Sequence, residues 1–271
     1  MPIREQNSNK GTFGKVLNFC GSDNYIGAAY LATISSLKVG AGFSALASTE
    51  RVVASVSALL PEAVYLTREE GLEQINNFTT VLIGCGLGLK EEAKKLLEDV
   101  LSRLKNNIPL IIDADGLNLL ALESTSSALR PPSPSREGLI ITPHPLEASR
   151  LLGVSVNYIL NNLEDTAKAL SVKYKCTTVL KTHRTVICSH DLITFINQHG
   201  NSALAKAGSG DVLAGIIAGL LAQGMGIYEA CKLGVYLHSR TGEIASEEFT
   251  EYSVLASDLP KYLHLAIREI L

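Results

Sequence analysis

Thr80-Val81-Leu82-Ile83-Gly84-Cys85-Gly86-Leu87-Gly88 is a short apolar run closed by alternating glycines. An unbroken apolar run of this length, bounded by glycine, reads as a strand buried on both faces. Glu91–Lys105 follows, with Ala93, Leu96, Leu97, Val100, Leu101 and Leu104 at helical spacing and charges on the opposite face. Ile108–Ile112 is apolar again and stops at Asp113-Ala114-Asp115. Strand, glycine turn, amphipathic helix and strand make a βαβ unit, whose crossover is right-handed and whose strands are parallel.

The same alternation extends in both directions. Upstream, Gly14–Cys20 reads as a strand, Asn24–Val39 as a helix rich in small residues, and Phe43–Ala47 as a strand after the Gly40-Ala41-Gly42 break. Downstream, Leu139–Thr142 and Thr177–Leu180 read as strands, and Thr185–Cys188 with Ile193–Ile196 as a hairpin. From Asp211 onward the pattern is helical, with a break near Gly224–Gly226. The predicted fold is α/β, with a central, mostly parallel sheet and helices on both faces. Ser124–Gly138, rich in Ser and Pro, reads as an exposed surface loop, so residues 1–271 are predicted to form a single domain.

Composition narrows the function. The chain has 271 residues, 46% hydrophobic and 19% charged, which suits a core-rich globular protein. A net charge of −3 gives no support to nucleic-acid binding. The five cysteines are odd in number and include no C-x-x-C pair, so they read as reduced, buried thiols and not as structural zinc ligands. Met1–Asn7 has no apolar segment of the signal-peptide kind, and the apolar run Val212–Leu221 is too short to span a bilayer. The expected setting is therefore the cytoplasm, away from membranes.

In open parallel sheets ligands bind at the carboxyl ends of the strands, and the unusual residues of this chain collect there. Gly84-x-Gly86-x-Gly88, Asp113-x-Asp115-x-x-Asn118, Thr142-Pro143-His144-Pro145-Leu146-Glu147 and Lys181-Thr182-His183-Arg184-Thr185 each follow a predicted strand. If the strand ran on, Asp113 and Asp115 would point the same way. Glu147 reads either as a capping-box residue or as part of a water-mediated metal network. The glycine run fits neither the dinucleotide fingerprint nor a P-loop.

The last such segment is Ala207-Gly208-Ser209-Gly210-Asp211, which opens the apolar helical run. Its glycines permit a tight turn, the first helical turn offers unpaired N–H groups to an anion, and Asp211 adds a carboxylate beside them. A phosphate cradle next to a base is what phosphoryl transfer needs. Alone, the segment reads equally as a loop with an Asp cap. Five such segments on one sheet edge favour the chemical reading.

Taken together, these segments resemble the ADP/ATP-dependent NAD(P)H-hydrate dehydratases, a branch of the ribokinase-like fold. The likeness runs from Lys10-Gly11-Thr12-Phe13-Gly14-Lys15-Val16 to Ala256-Ser257-Asp258-Leu259-Pro260, and is most specific at Thr142–Pro145 with Glu147 and at Ala207–Gly215. The resemblance implies a repair enzyme for the S epimer of hydrated NADH or NADPH. ADP (usual in bacterial relatives) or ATP (in eukaryotic ones) would phosphorylate the ring hydroxyl, and loss of phosphate would restore the dihydronicotinamide. Mg²⁺ would accompany the nucleotide.

By the same resemblance, Asp211 is the expected base, and the backbone of Gly208, Ser209 and Gly210 the anion hole. Gly210 also touches the adenine nucleotide, and Lys181, Thr182, His183, Arg184 and Thr185 line it. Ala41, Gly86, His144 and Asp211 contact the hydrated dinucleotide. Asn118 and Glu147 shape the phosphate and metal region. A homotetramer is expected, with epimerisation of the hydrates left to a separate protein, since this chain begins directly with the dehydratase segment. Three positions depart from the family: Leu146 and Thr182 stand where it usually has glycine, and Cys85 where it often has proline. A Thr at 182 does not readily take positive φ, which predicts an altered nucleotide loop.

Two other functions compete. A small-molecule kinase of the same fold, acting on a vitamin precursor or sugar, shares the glycine backbone, the Asp and the nucleotide. The Thr-Pro-His-Pro segment favours the dehydratase over it, because kinases of this fold more often carry Asn-x-x-Glu there. A non-catalytic nucleotide sensor has no need to keep Asp211.

Overall fold

The computed structural model describes residues 1–123 and 138–271. Only Gly138 of the expected surface loop Ser124–Gly138 falls among them, and it is buried, so that reading otherwise lies outside the described residues. Nine strands form one sheet: β1 (Lys15–Phe19), β2 (Phe43–Ser48), β3 (Val64–Thr67), β4 (Thr80–Ile83), β5 (Leu110–Ile112), β6 (Leu139–Ile141), β7 (Thr177–Leu180), β8 (Val186–Cys188) and β9 (Thr194–Ile196). They are ordered β3-β2-β1-β4-β5-β6-β7-β8-β9. Neighbours from β3 to β7 pair in parallel, whereas β8 runs antiparallel to β7 and β9 antiparallel to β8. The hairpin closing the sheet is thus the one its sequence suggested.

Strand alternation divides the interior into two cores. Val16, Leu46, Leu82, Ile111, Ile140 and Val179 face one side. They pack under α1 (Ile26–Lys38), α9 (Ser209–Ala222), α10 (Ile227–Ser253) and α11 (Leu259–Arg268). Leu17, Phe19, Val81, Ile83, Leu110 and Ile112 face the other. There they meet α4 (Glu91–Arg103), α5 (Asp115–Glu123), α6 (Pro145–Leu152), α7 (Val156–Asn161) and α8 (Leu163–Tyr174). Two shorter helices, α2 (Glu50–Ser57) and α3 (Arg68–Gln74), flank β3. β3 and these two helices had no counterpart in the sequence reading.

The small residues of α1 serve close packing. A Cβ on Gly215 of α9 would lie 2.2 Å from the Ala32 carbonyl oxygen, and one on Gly219 2.5 Å from that of Ser36. The two helices therefore touch backbone to backbone, which sets the height of α9 over the sheet.

Candidate active site

The strand order reverses between β1 and β4, a switch point of the kind at whose carboxyl edge open α/β sheets bind ligands. Gly84 has φ +121, and a Cβ on it would stand 2.0 Å from the carbonyl oxygen of Asp113, so only glycine permits the turn after β4 to lie against β5. The two acidic residues after β5 do not share a direction. Ala114 takes a left-handed φ of 49, α5 starts at Asp115, and the alternation of an extended strand ends with Ile112. Asp115 Oδ2 accepts the Gly88 N–H at 2.8 Å and ties down the glycine turn. Asp113 is buried and turned towards Thr142, Lys181 and Cys85.

Asp113 organises the centre. Its Oδ1 accepts from Thr142 Oγ1 and from Lys181 Nζ, both at 2.6 Å, and its Oδ2 lies 3.8 Å from Cys85 Sγ. Burial opposes the charge on Lys181, but Asp113 and Glu147 together hold its ammonium above the ordinary lysine range. Asp211 joins from the first turn of α9, and one donor atom each of Cys85, Asp113 and Asp211 lie within 4.8 Å of one another. Burial, then the Asp113 charge, push the Asp211 carboxyl up to about 6, with the Cys85 thiol and Lys181 opposing.

α9 brings the anion-binding end. Gly208 caps it with φ +92. Ser209 N–H already donates to the Lys206 carbonyl at 3.2 Å, while the N–H groups of Gly210 and Asp211 have no acceptor among the described residues. The Gly208 N–H has none either, so the backbone of Gly208, Gly210 and Asp211 is open to an anion. A Cβ on Gly210 would lie 3.3 Å from Lys181 Nζ, so the ammonium stands beside this helix end.

Outside this end lies a cavity of 770 Å³. One wall is His144, Lys181, Thr182, His183 and Thr185. The other comes from His199–Ser202 and from Val235, His238 and Ser239 of α10, with Ser209 and Gly210 at the base. A hollow of this size, with largely apolar exposed atoms and polar side chains in both walls, suits a nucleotide.

Residues 16–265 match the family described as NAD(P)H-hydrate dehydratase. The chain belongs to that family. It is similar to the bifunctional NAD(P)H-hydrate repair enzyme of Thermofilum pendens, at 38% identity over all of this chain but 53% of the relative. The chain thus spans about half the length of such curated relatives. Among solved structures, the ADP/ATP-dependent NAD(P)H-hydrate dehydratase from Bacillus subtilis, co-crystallised with ATP and Mg²⁺, superposes with a TM-score of 0.88. It is 32% identical and is covered to 95% by this chain, which it covers fully. A ribokinase-like superfamily protein from Enterococcus faecalis superposes with a TM-score of 0.83 at 32% identity, covering 98% of this chain and 92% of its own. The fold is therefore the ribokinase-like one expected.

Within this dehydratase-family chain the expected residues are partly assembled. Ser209, Gly210, Lys181, Thr182, His183, Thr185 and His144 line the cavity, and Asp211 follows Gly210 beside Asp113 and Cys85. His144 shares its wall with the segment expected to hold the nucleotide. Glu147 is a capping-box residue. His144 Nδ1 accepts from the N–H of Leu146 (3.1 Å) and Glu147 (3.4 Å), and Glu147 Oε2 accepts the His144 N–H at 2.8 Å. Burial pushes its carboxyl up to about 7, against the pull of Lys181 4.0 Å away. Gly86 follows β4, where a Cβ would strike Tyr25 and Ala28.

Of the other expected residues, Ala41, Asn118 and Arg184 do not line the cavity. Ala41 precedes β2 at the amino edge of the sheet, separated from Asp211 by the length of α9, about 20 Å at 1.5 Å per residue. Asn118 Oδ1 accepts from Arg150 Nη1 at 2.6 Å, so it links α5 to α6. Arg184 is exposed and does not line the cavity. Thr182 keeps negative φ, and its hydroxyl donates to the Arg184 carbonyl at 2.8 Å, so the turn accepts threonine where the family has glycine. Leu146 directs its side chain outward and is 45% exposed. The hub role of Asp113 and the His199–Ser239 wall were not foreseen. Asp113 stood in the strand-end motif as a signal, whereas His238 reads as one polar residue in a helix.

Proposed function

We propose that this chain dehydrates the S hydrate of NADH or NADPH at the expense of ADP or ATP. The observation that carries the reading is the meeting of Asp211, Lys181 and the unpaired N–H groups of Gly210 and Asp211 at the cavity base. The nucleotide occupies the cavity, with its terminal phosphate at the start of α9, where helix-end donors and the ammonium offset its charge. Gly86, His144 and Asp211 face the hydrated ring. Asp211 takes the hydroxyl proton as the oxygen attacks the terminal phosphorus, and AMP or ADP leaves. The C–O bond of the phosphate ester then breaks, the ring loses a proton, and inorganic phosphate departs with the double bond restored.

Mg²⁺ fits this donor set. A hard cation takes one or two carboxylates and leaves its other positions to water and phosphate oxygens. Asp211 and the Oδ2 of Asp113 offer such a pair, while Oδ1 is committed to Lys181 and Thr142, and the Cys85 thiol is no ligand for a hard ion. When bound, Mg²⁺ neutralises phosphate charge.

The test is the near-ultraviolet absorbance of the reduced dinucleotide when purified protein meets hydrated NADH with Mg²⁺ and either ADP or ATP. A nucleotide-dependent rise with phosphate released in step is expected, and the faster nucleotide names the donor. No rise from folded protein would shift the assignment to a kinase acting on another hydroxyl.

A further inference from the structure

Ser209 begins α9, yet its N–H is spent on Lys206. What it brings to the cavity is its hydroxyl. His238, on α10 and buried, approaches it closely. The imidazole Nε2 is 3.0 Å from Ser209 Oγ and 3.0 Å from the Ser209 carbonyl oxygen. A carbonyl oxygen only accepts, so Nε2 must carry the hydrogen. The same N–H is shared with Oγ, which makes Oγ an acceptor towards the ring. The hydroxyl hydrogen is left over. Among the described residues it has no other acceptor, and Ser209 lines the cavity.

We infer that His238 is a positioning residue: its Nε2–H fixes the Ser209 hydroxyl as a donor aimed at the anion held by the start of α9. The O–H of Ser209 then joins the open N–H groups of Gly208, Gly210 and Asp211 in the anion hole. A protonated imidazole is not required. Burial, with Lys181 nearby, pushes His238 down to about 4, so the ring stays neutral and keeps one hydrogen for this bond. The inference rests on the nucleotide reading only in taking the anion to be a phosphate.

A double-mutant cycle separates positioning from simple packing of α10 on α9. Mg·ADP binding is measured by calorimetry for wild type, Ser209→Ala, His238→Leu, His238→Gln and the Ser209→Ala/His238→Leu pair, with melting curves for each. Loss of one hydrogen bond to a charged group predicts affinity weakened about 10- to 100-fold in Ser209→Ala and in His238→Leu. The pair is expected to be no weaker than Ser209→Ala alone, and His238→Gln, whose amide donates, to recover most of the affinity. Equal loss from His238→Leu in both backgrounds would sink the idea. Where a variant fails to fold, imidazole ¹⁵N shifts of the wild-type protein decide. A neutral ring protonated at Nε2 from about pH 5 to about pH 8 is expected, and the Nδ1–H form overturns the assignment. ADP binding with intact coupling but no turnover of the hydrate would overturn the proposed function alone. No ADP binding by wild type would overturn both.

Discussion

Asp211 sets rate and stability against each other. As the proposed base it must be ionised, so turnover is expected to fall about tenfold per pH unit as pH drops below about 6. Its folded-state pKa lies above the ordinary 3.8, so the folded chain binds more protons than the unfolded chain between those values. Stability from this group is complete below about pH 4 and is lost as pH rises through about 6. Asp211→Asn removes the charge. It should lower turnover by ~10²–10⁴-fold, leave binding of ADP without Mg²⁺ nearly intact and, at pH 8, raise fold stability by about 1–3 kcal/mol. Parallel rate and urea-unfolding measurements check this. An Asn variant that is both inactive and less stable would show that the carboxylate is not held against its desolvation. Asp211 was legible because a lone carboxylate followed two glycines at a helix start. Its partner Asp113 was half legible. Asp113 marked a strand end, but no local pattern shows that a lysine 68 positions away will grip it.

The pairing of α1 with α9 carries geometry to the anion hole. Gly215 and Gly219 leave no room for a side chain, and the facing Ala32 and Ser36 present backbone. Gly215→Val must separate the helices or bend one of them, with an expected loss of about 1–3 kcal/mol. The N–H groups of Gly210 and Asp211 ride on the same helix, so Mg·ADP affinity should fall too. A variant that loses stability and keeps wild-type affinity would show that α9 is held by its N-terminal contacts alone. Helices such as α4 were plain in sequence, because their apolar residues recur on one face. β3, α2 and α3 were not, since β3 has one exposed and two half-buried residues before an exposed threonine. At α6, His144 stands where a Ser or Asp usually caps, so the cap was legible only through Glu147.

At the level of the whole chain, a ligand in the cavity touches the segments that follow β6, β7 and β9 as well as α9 and α10. Ligand binding should therefore stabilise the molecule as a unit. Mg·ADP at about 100 times its Kd adds about 2.7 kcal/mol. For a domain of this size that corresponds to a rise in Tm of several degrees, at roughly 2–4 °C per kcal/mol. Calorimetric scans with and without nucleotide test it, and an unchanged Tm at saturating nucleotide would place binding away from the sheet edge. The α/β class and the parallel centre were readable from period alone, as were β4 and β7 to the residue. The strand order was not, because pairing of β1 with both β2 and β4 depends on contacts far apart in the chain.

That order has a consequence for how the chain is made. β1 and α1 leave the ribosome early, but the helix that covers them, α9, is synthesised after all nine strands. At about 5–20 residues per second, the groove of alanines and serines on α1 waits on the order of 10–30 s for its glycine-lined partner. Throughout that interval one face of the nascent sheet is dressed while the other carries only α1 and α2. The helix that completes the catalytic edge is the same one that ends the exposure, so a chain stalled before α9 would be inert and sticky at once.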